Sequence, residues 1–120
     1  MKPDADADAL LIAHMRECLD RVLEYTGGDE EKFRASRLIQ DAVVRNLQTL
    51  TESSQRLSEK IKATEPTIPW RDLSGFRNIV VHQYLGIELA VVWSVVANDL
   101  SILRPALDRM ATRLDQPLTR

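Results

Sequence analysis

A single cysteine, Cys18, in 120 residues excludes an intrachain disulfide. With only His14 and His82 beside it, no Cys/His spacing of a metal site exists. Four glycines and six aromatic residues, with few alternating apolar runs, leave no strand-and-turn rhythm, so the chain is expected to be all-α. A formal net charge of -2 argues against a broadly basic nucleic-acid binder. A local basic patch stays open, because twelve of the sixteen basic residues are arginine. The longest apolar run is bracketed by Glu88 and Asn98, short of a membrane span. The opening MKPDADADALLIAHM lacks a long apolar core behind a basic start, so no signal peptide is expected. What remains is a soluble, cytoplasmic chain with no membrane segment, its residues 1–120 forming one domain.

In order along the chain, a first helix is expected to begin between Asp4 and Asp8, after Pro3, with acids favourable at its N-terminus. The DADADA run reads as an acidic, frayed start. Leu11, Met15, Cys18 or Leu19, Val22 and Tyr25 or Thr26 mark the apolar stripe, and Gly27-Gly28 ends the helix. Asp29 caps a second, long helix, whose stripe of Phe33, Ile39, Val43, Leu47, Leu50, Ser54, Leu57 and Ile61 keeps helical spacing almost to Ala63. Beside it runs a polar seam of Asn46, Thr49, Glu52, Ser53 and Gln55: either a solvated face, or one from which Asn46 or Glu52 points inward. Pro66 and Pro69 make residues 64–69 a loop, and Pro69-Trp70 leads into a third helix. Gly86 interrupts, and Ile87 begins a fourth helix that is apolar nearly all round to Ala97. Such a helix needs two surfaces to pack against, the core and a second copy of the chain. Pro105 is expected to kink or restart it, with the rest to Leu114 amphipathic.

The chemistry concentrates in the third helix, WRDLSGFRNIVVHQYLG from Trp70 to Gly86. Arg77, Asn78, His82 and Tyr84 fall within eight positions among apolar neighbours. Polar groups in that setting imply a satisfied core network or a working cleft. Asn78 and His82, four apart, can touch; Arg77 and His82, five apart, point roughly 140° from each other on one helix. The pair converges only if the helix bends or a second subunit completes the groove. Histidine can move a proton near neutrality, and arginine presents a fork of donors to phosphate oxygens. Without metal ligands, that combination suits cleavage of RNA through its own 2'-hydroxyl. The plainer reading is a buried His82 hydrogen-bonded to Asn78, with Arg77 in a structural ion pair and Tyr84 as packing. His14 has no partner motif, and Cys18 lies on an apolar stripe.

Ile68-Pro69-Trp70, Gly75-x-Arg77-Asn78, His82-x-Tyr84, Ile87 and Val92-Trp93 together resemble the HepT-like toxins of the HEPN superfamily. The likeness runs from the second helix through the fourth, and Arg-x4-His-x-Tyr is its specific part. The resemblance implies an all-α, up-and-down bundle of four or five helices. It implies a homodimer in which Arg and His of both subunits line one cleft. It further implies ribonuclease activity on an RNA substrate without metal or cofactor, and pairing with a nucleotidyltransferase antitoxin of the MntA type. By position, Arg77 and His82 would be catalytic, Asn78 supporting, and Tyr84 the residue the antitoxin modifies with AMP. The first helix carries little of the likeness. A non-catalytic helical module that binds a nucleotidyltransferase is the alternative, and the low basicity favours it.

Overall fold

The computed structural model describes residues 3–73 and 88–115. Every regular element among them is helical. Helix α1, Pro3–Thr26, carries Asp4 and Asp6 in its first turn, where carboxylates oppose the positive end of the helix dipole. Its core face is Ile12, Met15, Cys18, Leu19, Val22 and Thr26; Ile12 rather than Leu11 takes the inward position. The helix closes as its glycines predict: Gly27 N–H donates to Leu23 O at 2.8 Å, with Gly27 at φ 60° and Gly28 at φ 72°. No atom crowds a side chain at either position, so the backbone angle alone selects glycine there.

Asp29 caps α2, its carboxylate accepting from the N–H of Glu31 and of Lys32. The long helix expected to run from there to Ala63 is instead three helices: α2 (Glu30–Ala35), α3 (Arg37–Arg56) and α4 (Glu59–Lys62). The breaks fall at serines. Ser36 turns extended (φ -129°, ψ 113°) and accepts from Ile39 N–H through its side chain, starting α3. Gln40 Nε2 then donates to the Phe33 and Arg34 carbonyls, both at 3.1 Å, satisfying acceptors that the break exposes. At the second break Ser58 caps α4 through Ile61 N–H. The break there is fixed from afar, because Asp8 of α1 accepts from both Ser58 N–H at 2.9 Å and Ser58 Oγ at 2.6 Å. Asp8 is buried, so the acidic run expected to fray is docked at its third aspartate, while Asp4 and Asp6 stay exposed. The apolar stripe survives both breaks in phase, with Phe33, Val43, Leu47, Leu50, Leu57 and Ile61 all buried.

Along α3 the polar seam is mostly a local matter. Half-buried Asn46 donates to its own helix at Ala42 O, Thr49 donates to Arg45 O, and Glu52 and Gln55 are exposed. Ser53 is buried.

From Leu89 the chain is one continuous helix to Asp115: α5 (Leu89–Ser94), a π-helical turn (Val95–Asp99) and α6 (Leu100–Asp115). Gly86 and Ile87, where an interruption and a restart are expected, lie outside the described residues. Pro105 does not restart the helix; it sits inside α6, and the irregular turn ends at Asp99, six residues before it. Val92, Val95, Val96, Leu100, Leu103, Leu107 and Met110 enter the core shared with α1 and α3, and Trp93 tilts against Phe33 with ring centroids 5.5 Å apart. The all-round apolar stretch is only partly covered, since Val91 stays 42% exposed. Leu89–Asp115 is long enough to cross a membrane, and an 18-residue stretch of it reaches a mean hydropathy of 1.2, which the apolar runs alone do not suggest. Its inner face is nevertheless core, and its arginines pair with acids of other elements. Arg104 bonds Asp20 of α1, while Arg16 of α1 reaches Asp108 at 3.1 Å.

Candidate active site

Arg77, Asn78, His82 and Tyr84, the residues singled out for chemistry, lie outside the described residues. What the structure builds is the frame on either side of them. On the leading side, residues 70–73 are already helical, with Asp72 N–H donating to Pro69 O at 2.9 Å and Leu73 N–H to the same oxygen at 3.1 Å. Proline fits immediately before that first turn, because its missing N–H removes nothing the helix needs. Ile68 and Leu73 are buried on either side of it. The Trp70 indole N–H donates to both Lys62 O and Glu65 O at 3.2 Å, folding the first turn back onto the loop that precedes it.

That loop is held by charge. Glu65 is only 4% exposed, and its carboxylate faces two arginines of α6. Arg109 donates through Nε at 3.0 Å and Nη2 at 2.6 Å, the two-pronged geometry that suits a carboxylate. Arg113 adds a contact at 2.5 Å and also donates to Thr64 Oγ1 at 3.1 Å. The hydrogen bond from Arg109 is the largest influence on the acid. It outweighs the cost of burial, and with Arg113 it lowers the Glu65 pKa to about 2.

Between the leading turn and the π-helical turn lies a cavity of about 80 Å³, lined by Ile68, Asp72 and Leu73 on one side and Val95, Asp99 and Leu103 on the other. Burial, and after it the charge of Asp72, pushes the Asp99 carboxyl above the usual range. Two carboxyl groups at an apolar hollow repel a phosphate, so this cavity is unsuited to an RNA backbone.

His14 is exposed on α1, and Cys18 is core, its thiol pushed up by burial. Neither adds to a site. Among the described residues no group of three or more His, Cys, Asp or Glu side chains could hold a metal ion. The sequence reading missed Glu65 and Asp8. For Glu65 a signal exists: Arg109 and Arg113 are spaced to share one face of a helix, a paired cation awaiting an acid.

Residues 15–110 match the family described as ribonuclease HepT-like. A relative from Thermococcus cleftensis that carries the provisional name ribonuclease HepT is 30% identical over 80 residues, 67% of this chain and 73% of its own. A Methanocaldococcus jannaschii protein provisionally named an RNase is 29% identical over 93 residues, 77% of this chain and 85% of its own. A second protein of that organism, named a gamma-glutamylcyclotransferase and, provisionally, an RNase, is 28% identical over 108 residues. The match takes in 89% of this chain but 49% of that relative, so the chain spans about half its length. No solved structure matches the chain.

Proposed function

The chain belongs to the ribonuclease HepT-like family, and from that premise we propose that it is the toxin of a two-gene system, an endoribonuclease that cuts RNA without a metal ion. The observation that carries the reading is where the family match falls. Residues 15–110 take in Arg77, Asn78, His82 and Tyr84 together, with the Arg-x4-His-x-Tyr spacing intact. His82 takes the proton of the 2'-hydroxyl as its oxygen attacks phosphorus, and Arg77 holds the phosphate as negative charge builds on it. The bond to the 5'-oxygen breaks to leave a 2',3'-cyclic phosphate and a 5'-hydroxyl that takes its proton from water. Asn78, four residues before His82, supports the imidazole. Two copies of the chain form a homodimer in which both Arg/His pairs line one cleft. That arrangement answers the angular separation that a spacing of five residues gives on an ideal helix.

The silencing partner is a nucleotidyltransferase antitoxin of the MntA type, and Tyr84 is the residue it modifies with AMP. A tyrosyl adenylate brings a bulky phosphate anion beside Arg77 and competes with RNA for its donors. Co-expression with the neighbouring nucleotidyltransferase tests this. The wild type gains the mass of one adenylate and stops inhibiting growth, whereas Tyr84→Phe stays unmodified and toxic. An unmodified wild type beside its active partner would contradict the role of Tyr84. A wild type that binds the partner but cuts no RNA would replace the enzyme reading with that of a binding module.

A further inference from the structure

Glu65 is used twice, once through its backbone and once through its side chain. Its carbonyl accepts from the Trp70 indole at 3.2 Å, while its carboxylate is clasped by Arg109 and Arg113 of α6. The two ends are joined by a short, stiff stretch, because Pro66 and Pro69 each fix a backbone angle between Glu65 and Trp70. Trp70 opens the helical turn, Arg77 stands seven positions beyond it and His82 twelve.

As a source of stability a buried ion pair is replaceable, since apolar packing of equal volume often does as well, although removing one partner alone is costly. What a two-pronged arginine–carboxylate contact adds is direction. The geometry points to Glu65 as a positioning residue for the cleavage reaction: anchored on α6, it fixes the turn at Trp70 from which the stretch of sequence bearing Arg77 and His82 departs. The assignment rests on the reading of those two residues as the catalytic pair. Glu65 touches no reacting atom and acts only through the segment that follows it. Misplacement of a catalytic group by about 1 Å costs on the order of 100-fold in rate, so a loosened start is felt at the chemistry.

Glu65→Gln keeps the shape and removes the charge; Glu65→Asp keeps the charge on a shorter stem. Both are compared with the wild type well below their own unfolding temperatures, by single-turnover RNA cleavage and by amide hydrogen exchange. For Glu65→Gln the expected result is a fall in kcat on the order of 10- to 100-fold with KM little changed. Exchange should be faster across residues 70–85 and unchanged across α3. Glu65→Asp should recover part of kcat. Trp70→Phe, which removes the indole N–H together with part of the ring packed on the core, should lower kcat as well and add little on top of Glu65→Gln, because both cut one path. A merely structural role predicts a lower unfolding temperature with kcat per folded molecule unchanged, and that result overturns the assignment. A wild type that cuts no RNA sinks the catalytic reading instead; the exchange data then still decide whether Glu65 positions the segment, with unchanged exchange overturning it.

Discussion

Arg109 grips Glu65 with two parallel hydrogen bonds, of 3.0 and 2.6 Å, across 44 residues of sequence. The acid is held at about 2 when folded against an ordinary value of 4.5, so protonation favours the unfolded chain. The stability this contributes is fully present above pH 4.5 and is lost as the pH falls toward 2. Thermal unfolding across that window is therefore expected to show the wild type well above Glu65→Gln near neutrality, the gap closing between pH 4.5 and 2. Added salt should narrow the gap near neutrality too, because the Arg109 and Arg113 side chains are 51% and 39% exposed.

Asp8 ties the first helix to the second break through two hydrogen bonds to Ser58. Asp8→Ala removes both acceptors and should lower stability by about 1–3 kcal/mol in urea titrations. Asp8→Asn keeps one acceptor and should lose less. An alanine variant as stable as the wild type would restore the view of a frayed N-terminus.

Cys18 is 1% exposed and its thiol is raised by burial. The folded protein should resist alkylation by iodoacetamide at neutral pH and react at the rate of a free thiol in concentrated urea. Fast labelling in native buffer would place Cys18 outside the core.

Phe33 is fully buried and stacks at a tilt on Trp93, joining α2 to α5. Phe33→Ala should cost about 3–5 kcal/mol, read as a fall in the urea midpoint with an unchanged slope.

The parts of the fold that local chemistry dictates were legible. Gly27-Gly28 closes α1, Asp29 caps α2, and the stripe from Phe33 to Ile61 faces the core, all as their residue types require. Ser36 and Ser58 were not legible as breaks, because the stripe runs through both without losing phase. Periodicity reports which face is buried and is silent about where the backbone leaves the helix. Ser58 is fixed by Asp8, 50 residues away, and Glu65, whose carbonyl accepts from the Trp70 indole, is held by arginines of α6. Such long-range partners have no local pattern. Of the candidate site, the sequence supplies the motif from Arg77 to Tyr84, and the structure supplies the ion-paired Glu65 that precedes it in the chain.

The central claim is that this chain cleaves RNA with Arg77 and His82 and without a metal ion. The measurement that tests it most directly is cleavage of cellular RNA by the purified chain in excess EDTA, wild type beside folded His82→Ala and Arg77→Ala. The wild type should cut and leave 2',3'-cyclic phosphate ends, with His82→Ala slower by about 100- to 10,000-fold and Arg77→Ala also strongly impaired. Cleavage at the wild-type rate by both folded variants, or cleavage that EDTA abolishes, would contradict the account.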